Sequence, residues 1–387
     1  MSITKQPILL FLITEDWFFA SHFMARAKAA QAAGYRVIVL CGVGPASQSL
    51  RAAGIELVEV AFIRRRINPI AELILSLSIS KIYRRLAPDI VHHIALKPII
   101  LGSIAARLAG VRHIVNAPVG MGFVFTSQSL KARLLRPLMN LALRLTLNPP
   151  GSVVILENRD DVAGFAASGL VARENITLIR GAGVDIVRFA PSPSSRPASP
   201  GVPQVVMVAR MLRDKGVGEF VAAARLLKAR QINCRMVLVG APDAENPNTV
   251  PASQLSAWQD EGVIEWRGAQ SDIPAVLAQA IMFCLPSYRE GLPKSILEAM
   301  AAGLPVVATD VPGCREAVTH EATGLLVPAR DAPALAAAIA RLLAEPATRA
   351  RMGAAGRQAV LAEFSDQIIT TQTLAVYRTL TQQADPT

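Results

Sequence analysis

The chain has 387 residues, of which 52% are hydrophobic and 18% are charged. This composition supplies apolar side chains for two or three folded domains and excludes disorder over most of the chain. The formal net charge is +11, yet residues 60–147 alone hold 13 lysines and arginines against two acids, and the remainder is balanced. A basic segment of this kind favours an anionic partner, either a nucleic acid or a membrane surface.

Short apolar runs alternate with stretches of helical periodicity, such as residues 22–33 and 332–340, along most of the chain. This alternation is the pattern of parallel strands joined by crossover helices, and it predicts two doubly wound α/β domains. The predicted strands are 8–13, 36–41, 55–60, 90–94, 113–116, 153–156 and 176–179 in a first series, and 204–208, 235–239, 281–285, 306–308 and 325–327 in a second.

The two series are separated by residues 191–203, which contain five prolines among small residues. Such a segment continues neither a helix nor a central strand, so we predict a linker there. The N-terminal domain then covers 1–190 and the C-terminal domain 204–365. Residues 366–387 include a predicted helix whose packing partner the sequence leaves open. Ligands bind at the carboxyl ends of strands in doubly wound sheets, so the expected site is the cleft between the domains.

The cysteine pattern and the apolar runs indicate the compartment. Cys41, Cys234, Cys284 and Cys314 are widely spaced and form no Cys-x-x-Cys pair, which argues against a zinc site or a disulfide framework. The apolar run after Lys5 is about eight residues long and ends at an acidic pair, unlike a secretory signal. No uncharged apolar run reaches the roughly 18 residues that span a bilayer. We therefore expect a cytoplasmic protein that meets a membrane, if at all, with one face.

Residues 285–318 combine several features of a ligand-binding loop. A predicted strand ends near Leu285, the next loop holds Glu290 and Gly291, and Pro293 is placed to begin a helix. Glycine permits close approach of the backbone to a ligand. The helix N-terminus offers N–H donors and the positive end of the helix dipole to a phosphate or a sugar hydroxyl.

Two carboxylates, Glu290 and Glu298, bracket this helix N-terminus. Glu290 lies on the loop, and Glu298 follows eight residues later, about one turn into the helix. A pair so placed is able to accept hydrogen bonds from the hydroxyls of a sugar ring and of a ribose. Acids in the first turn also stabilise a helix through its dipole. These residues by themselves leave both a sugar-nucleotide clamp and a structural role open.

Residues 290–309 read Glu-Gly-Leu-Pro-Lys-Ser-Ile-Leu-Glu-Ala-Met-Ala-Ala-Gly-Leu-Pro-Val-Val-Ala-Thr. This stretch resembles the Glu-x7-Glu signature of retaining glycosyltransferases of the GT-B fold, in the large family numbered four. A second stretch, residues 208–216, resembles the strand-loop motif of that family, which ends in Lys-Gly. The resemblance implies two Rossmann-like domains facing across a cleft, a nucleotide-diphosphate sugar as donor, and retention of anomeric configuration without a metal ion.

The same resemblance implies which residues hold the donor. Arg210 and Lys215 would neutralise its diphosphate, together with Gly291, Leu292 and Pro293. A departing nucleoside diphosphate needs cations, and the chain has no Asp-x-Asp metal motif. We therefore expect no metal site and no cofactor besides the donor, with UDP as the expected nucleotide.

The remaining donor contacts also follow from the resemblance. Glu290 would contact the transferred sugar and act in catalysis, Glu298 would bind the ribose, and Gly268 lies where relatives contact the base. No well-placed pair of carboxylates for double displacement is evident. Front-face attack is therefore the expected route, in which the leaving phosphate helps to deprotonate the acceptor hydroxyl.

Two stretches of the first half, residues 14–22 and 89–98, are similar to family members that build capsules, O-antigens and lipid-linked oligosaccharides. Many of those enzymes have a His-Gly step after the strand near 113–116, where this chain reads Asn-Ala-Pro. The catalytic role of an N-domain histidine therefore falls on His92, with His93 as the alternative, although histidines held by the backbone at a strand end fit the sequence equally. The residues assigned to the acceptor side are His93, Lys97 and His22.

Residues 61–86 and 123–147 pair arginine clusters with apolar helical stretches. Such basic amphipathic segments suit an anionic leaflet, where each Lys or Arg near the surface contributes about 1 kcal/mol. Docking would bring a polyprenyl-diphosphate-linked saccharide to the basic face; a merely solvated arginine face is the alternative. Nucleic acid is not expected, since no recognition motif is present. The residues predicted to face the inner leaflet are Arg64, Arg65, Arg66, Arg84, Arg85, Lys131, Arg133 and Arg136.

Two other functions stay open beside a hexosyl- or N-acetylhexosaminyltransferase. A sugar-nucleotide epimerase of the GT-B fold would share the fold and the ligand but lack Glu-x7-Glu with its Lys-Gly partner. A catalytically silent, membrane-associated binding subunit would not need the intact Arg210, Lys215, Glu290 and Glu298. A nicotinamide enzyme is not expected, because no Gly-x-Gly-x-x-Gly follows the first predicted strand.

Overall fold

The structure is a computed structural model that describes residues 6–62, 68–119, 130–191 and 201–382. The chain divides into two compact units. The first consists of Met1–Ala182 with Gln367–Thr387, and the second of Gly183–Asp366. Each unit is built on a parallel sheet with its own core, as the sequence predicts.

The first unit contains strands β1 to β7 and helices α1 to α7. The strands are β1 (Ile8–Glu15), β2 (Arg36–Gly42), β3 (Glu56–Glu59), β4 (Ile90–Ile94), β5 (His113–Ala117), β6 (Ser152–Leu156) and β7 (Ile176–Leu178). The helices are α1 (Asp16–His22), α2 (Met24–Ala32), α3 (Ser47–Ala52), α4 (Pro69–Leu86), α5 (Leu96–Ala109), α6 (Leu130–Leu147) and α7 (Arg159–Ala167). The sheet order is β3-β2-β1-β4-β5-β6-β7.

The second unit contains strands β8 to β13 and helices α8 to α14, and helix α15 follows them. The strands are β8 (Gln204–Val208), β9 (Arg235–Val239), β10 (Glu265–Trp266), β11 (Met282–Leu285), β12 (Val306–Thr309) and β13 (Gly324–Val327). The helices are α8 (Val217–Ala229), α9 (Ala252–Asp260), α10 (Ile273–Ala278), α11 (Lys294–Ala301), α12 (Cys314–Ala317), α13 (Ala332–Ala344), α14 (Pro346–Glu363) and α15 (Asp366–Gln382). The sheet order is β10-β9-β8-β11-β12-β13.

Both sheets have the strand order of a doubly wound fold, so that prediction is confirmed. The order reverses between β1 and β4 in the first sheet and between β8 and β11 in the second. The central strands are continuous apolar runs because helices cover both faces of a parallel sheet; residues 9–12 of β1 are fully buried, for example. A crevice for ligands forms where the strand order reverses, outside the carboxyl ends of the strands.

The predicted strands all form, with ends shifted by at most two residues. The sequence misses β10 because its two residues are too short to show a period. The helix predicted over 22–33 is present as α2. It begins at Met24 because Phe23, with φ −122°, leaves the helical region and separates α2 from α1.

The predicted domain boundary at residue 190 is corrected by the structure. The chain passes from the first unit to the second after Ala182. Val184 is held in the second unit because its N–H donates to the carbonyl of Phe364 and its own carbonyl accepts from Asp366. The linker predicted over 191–203 is thus internal to the second unit, and its residues 192–200 lie outside the described residues.

Helix α15, whose partner the sequence left open, packs in the first unit. Ile369, Tyr377 and Leu380 are buried in one cluster with side chains of β1 and β2. The Tyr377 hydroxyl lies 2.7 Å from Nδ1 of His92 on β4. The last helix therefore completes the core of the unit that contains the first strand.

Replacing Tyr377 tests this assignment of α15. Tyr377→Ala should cost about 3–5 kcal/mol of stability, because a fully buried aromatic ring is lost. Tyr377→Phe should cost about 1 kcal/mol, because only the hydrogen bond to His92 is lost. Calorimetric melting measures both, with the exposed Thr379→Ala on the same helix as a near-neutral control. A Tyr377→Ala protein that melts like the wild type would show that α15 does not stabilise the first unit.

Candidate functional site

Two loops of the second unit meet at the point where the strand order reverses. After β8, a 3₁₀ turn over Arg213–Lys215 leads into α8. After β11, residues 286–293 lead into α11. The Lys215 ammonium Nζ lies 2.6 and 2.8 Å from the two carboxylate oxygens of Glu290. The side chains are 22% and 9% exposed, so this ion pair is largely shielded from water yet still reachable.

The position directly after Lys215, which is occupied by Gly216, requires a glycine. Its φ is +75°, which other residues rarely adopt, and a Cβ there would overlap the carbonyl oxygen of Pro286. The backbone N–H of Tyr288 also donates to the carbonyl of Asp214, at 2.9 Å. The glycine thus lets the two loops touch, and their contact directs Lys215 to Glu290.

The Glu290 carboxylate is held by further contacts within the second unit. The Ser287 hydroxyl donates to its Oε1 at 2.5 Å, and the Thr309 hydroxyl donates to the Ser287 carbonyl. Gly313, with φ +78°, lies against the backbone of Glu290 and Gly291, where a Cβ would overlap both carbonyl oxygens. Ser287 and Gly313 were not predicted from the sequence. Their only signal was their proximity in sequence to the ends of β11 and β12.

The other predicted donor residues on this edge are held by one ion pair and one backbone hydrogen bond. Arg210, two residues after β8, forms an ion pair with Asp243 at 2.9 Å. Gly268, after β10, accepts at its carbonyl from the Gly240 N–H at 2.7 Å, and Gly240 follows β9. The carboxyl ends of β8, β9, β10 and β11 therefore bring Arg210, Gly268, Lys215 and Glu290 to one edge of the sheet. Asp243 was not predicted.

Leu292 and Pro293 connect the Glu290 loop to α11, which contains Glu298. Leu292 is buried in the core of the second unit. Pro293 is the N-cap and Lys294 the first helical residue, one position later than predicted. The pKa of Glu298 is raised to about 7, mainly because burial disfavours its charged form, while Lys294 and Arg188 oppose that shift. This carboxyl therefore titrates near neutral pH.

His92 and His93 are consecutive residues of β4, so their side chains point to opposite faces of the first sheet. His92 is 1% exposed and packs against Phe11 and Phe23 besides its hydrogen bond to Tyr377. Burial holds the pKa of His92 well below its usual value. His92 is thus a neutral imidazole inside the core, an arrangement that favours a structural role over the predicted catalytic one.

His93 is fully buried on the opposite face. Its Nδ1 lies 2.9 Å from Asn116 Oδ1, and its Nε2 lies 3.2 Å from the Tyr83 hydroxyl. Burial lowers the pKa of His93 to about 4. Both ring nitrogens therefore have partners inside the core, which favours a structural role, and the acceptor-side role of His93 stays a prediction.

Lys97 and His22 lie elsewhere in the first unit. The Lys97 ammonium is 2.6 Å from a carboxylate oxygen of Glu72, which ties α5 to α4. The His22 ring stacks on Phe18 with 4.2 Å between ring centroids. Both are partly exposed, so an acceptor-side role stays a prediction for these two.

The residues predicted to face a membrane are only partly covered by the structure. Arg84 and Arg85 are exposed at the end of α4, and Arg136 on α6 is partly exposed. Arg64, Arg65 and Arg66 lie outside the described residues, as do the side chains of Lys131 and Arg133. Among the described residues, no helix combines the length and apolar content that crossing a bilayer requires.

Comparison with known proteins agrees with this architecture. Residues 8–148 match the family model described as glycosyl transferase 4-like, and residues 192–359 match glycosyl transferases group 1. Sucrose-phosphate synthase from Thermosynechococcus elongatus superposes with a TM-score of 0.81 at 21% identity, covering 98% of this chain and 100% of that one.

Two curated relatives match over much of the chain. One is the N,N'-diacetylbacillosaminyl-diphospho-undecaprenol alpha-1,3-N-acetylgalactosaminyltransferase of Campylobacter jejuni, 29% identical over 86% of this chain and 88% of the relative. The other is the UDP-Gal:alpha-D-GlcNAc-diphosphoundecaprenol alpha-1,3-galactosyltransferase of Escherichia coli, 28% identical over 72% of each chain. The paired Rossmann-like units define the GT-B class of glycosyltransferases. This chain is a glycosyltransferase that belongs to family 4 of that class.

The raised pKa of Glu298 predicts a pH-dependent stability. Between about pH 4.5 and pH 7 the native state keeps a proton on Glu298 that the unfolded state releases. The contribution of Glu298 to the free energy of unfolding therefore falls as pH rises through this range and is constant above pH 7. Glu298→Gln should therefore gain stability relative to the wild type across that range, by at most about 3 kcal/mol. Urea unfolding between these pH values measures the difference, with the exposed Glu174→Gln as control. Parallel curves for wild type and Glu298→Gln would contradict the shift.

Proposed function

We propose that the enzyme transfers a sugar from a UDP-sugar to a polyprenyl-diphosphate-linked saccharide in the assembly of an envelope polysaccharide or glycan. In this proposal the anomeric configuration is retained and no metal ion takes part. The observation that carries it is the Lys215–Glu290 pair at the reversal of the second sheet. The two relatives named above, whose names specify undecaprenyl-diphosphate-linked substrates, support the acceptor class.

The donor's diphosphate fits the cationic side of this site. Lys215 supplies an ammonium group, and Arg210 supplies a guanidinium on the same edge. The helices α8 and α11 both begin at this edge, so the positive ends of two helix dipoles point towards it. As the bond between the sugar and the diphosphate breaks, negative charge grows on the leaving phosphate. Fixed cations stabilise that charge more in the transition state than in the ground state.

The transferred sugar fits Glu290. Its Oε1 accepts from Ser287 and Lys215, and its Oε2 accepts from Lys215, which leaves acceptor capacity for a sugar hydroxyl. The acceptor hydroxyl then forms its bond to the anomeric carbon on the face that the phosphate leaves, and its proton passes to that phosphate. This route needs no histidine base, in keeping with the burial of His92.

We place the enzyme in the cytoplasm, at the inner face of the cell membrane, because its acceptor is held in that membrane by a polyprenyl chain. The basic segment over 60–147 supports this location. Arg84 and Arg85 are its exposed members at the end of α4.

Lys215→Ala should lower kcat by about 100- to 1,000-fold, because the leaving diphosphate loses a fixed cation. UDP release with a lipid-linked acceptor measures it. Lys228→Ala is the matched control, since this lysine lies on α8 and its ammonium contacts the carbonyls of Glu261 and Gly262. Near-normal turnover of Lys215→Ala would overturn the assignment. Donor isomerisation without UDP release would indicate an epimerase, and donor binding with neither reaction a silent subunit.

The stereochemistry of the reaction and its dependence on metal ions are both tested with the wild-type enzyme alone. The anomeric proton coupling of the product should match that of the donor in NMR spectra. Activity should survive dialysis against a chelator, because Lys215 and Arg210 fill the role of a divalent cation in this mechanism. An inverted product would overturn retention, and activity lost to the chelator and restored by a divalent ion would overturn metal independence.

A further inference from the structure

Helix α4 turns apolar side chains towards solvent. Ile70, Leu73, Ile74 and Leu77 are between 45% and 72% exposed. Their spacing of three, one and three residues places them on one stripe of the helix. Scattered exposed apolar residues are normal on a protein surface, but four along one stripe indicate a partner.

The packed side of α4 is, by contrast, rich in hydroxyls. Ser76 is buried and donates to the carbonyl of Leu101 at 2.9 Å, and Tyr83 is buried with its hydroxyl near His93. Ser80 is buried as well. A surface helix ordinarily buries its apolar residues and exposes its polar ones. Ile79 is also buried on this side, but the four residues of the stripe face away from the core. Folding of the first unit therefore does not account for the outward stripe.

Helix α6 shows a second stripe of this kind. Leu138, Leu141 and Leu145 are between 55% and 65% exposed and are spaced by three and four residues. Crossovers between parallel strands are right-handed, so α4, α5 and α6 cover the same face of the first sheet. α5 contacts both neighbours, and its guanidinium at Arg107 donates to the carbonyl of Leu145. The seven exposed residues of α4 and α6 are called the apolar face below.

The charges around the apolar face indicate which partner it takes. Lys81, Arg84 and Arg85 follow the stripe on α4, and Arg144 lies within the stripe on α6; all four are exposed. The only acid in the sequence of α4, α5 and α6 is Glu72, and it pairs with Lys97. A second copy of the chain would bring two cationic rims together, which costs free energy. An anionic lipid surface takes the cations at its headgroups and the apolar side chains beneath them.

We propose that the apolar face inserts into the interfacial layer of an anionic bilayer, so that α4 and α6 lie in the membrane surface. This mode differs from electrostatic attraction alone, because the apolar side chains lose water when they insert. The inference rests on the proposed function only in that the lipid-linked acceptor lies in the same bilayer.

The test is flotation with vesicles of phosphatidylglycerol and phosphatidylcholine, at low and at high salt. The variant Ile70→Gln, Leu73→Gln, Ile74→Gln, Leu77→Gln should bind at least about tenfold more weakly. Wild-type binding should persist in part at high salt, because salt screens charges but not apolar insertion. Arg84→Glu with Arg85→Glu should weaken mainly the low-salt binding. Val187→Gln, at an 81% exposed valine of the second unit, is the matched control and should bind as the wild type does.

Circular dichroism and melting should be unchanged in the fourfold variant, because its residues are exposed. Unchanged vesicle binding by that folded variant would overturn the proposal. The proposal would also be overturned if the variant had a lower oligomeric mass than the wild type but the same vesicle binding. That result would show that the apolar face binds a second copy of the chain. Transfer to a water-soluble short-chain acceptor should be retained by the variant. If the wild type also fails to transfer sugar, that result counts against the proposed function. The insertion of the apolar face would then be judged from vesicle binding alone.

Discussion

The ion pair between Lys215 and Glu290 is the interaction on which the candidate site depends. It joins the loop after β8 to the loop after β11, the two strands between which the order of the second sheet reverses. Each loop also leads into a helix whose N-terminus lies at the same edge. A diphosphate bound there would draw on the hydrogen bonds of Lys215 and thereby release part of the Glu290 carboxylate. In the proposed function, donor binding and sugar recognition would therefore be coupled through one ammonium group.

The sequence was sufficient for every strand but β10, and it pointed to Lys215 and Glu290 as donor residues, although not to the ion pair between them. Continuous apolar runs mark buried parallel strands, and Gly216 must be a glycine because the turn after Lys215 touches Pro286. The contacts between the loops, such as Tyr288 to Asp214, join residues far apart in sequence and had no local signal. The domain boundary was misplaced because prolines at 191–203 break secondary structure without separating two folded units.

The histidines of β4 show what could not be predicted from the sequence. A period of two predicts that His92 and His93 face opposite ways, but not what covers each face. His92 is covered by Tyr377, 285 residues further along the chain, and His93 by Tyr83 and Asn116. On α4 the sequence likewise shows both apolar and basic residues. Only the packed fold reveals that Ser76 and Ser80 are inside while Ile70, Leu73, Ile74 and Leu77 are outside.

The position of α15 has a consequence for how the protein is made. The second unit is one continuous segment, whereas the first unit lacks a helix until α15 has been synthesised after the second unit. On a ribosome, the second unit is therefore able to reach its native state while the first is still incomplete. During that interval the surface of the first sheet around His92 is not yet covered by α15. Synthesis of α15, rather than emergence of the first strands, is the event that completes the core of the first unit.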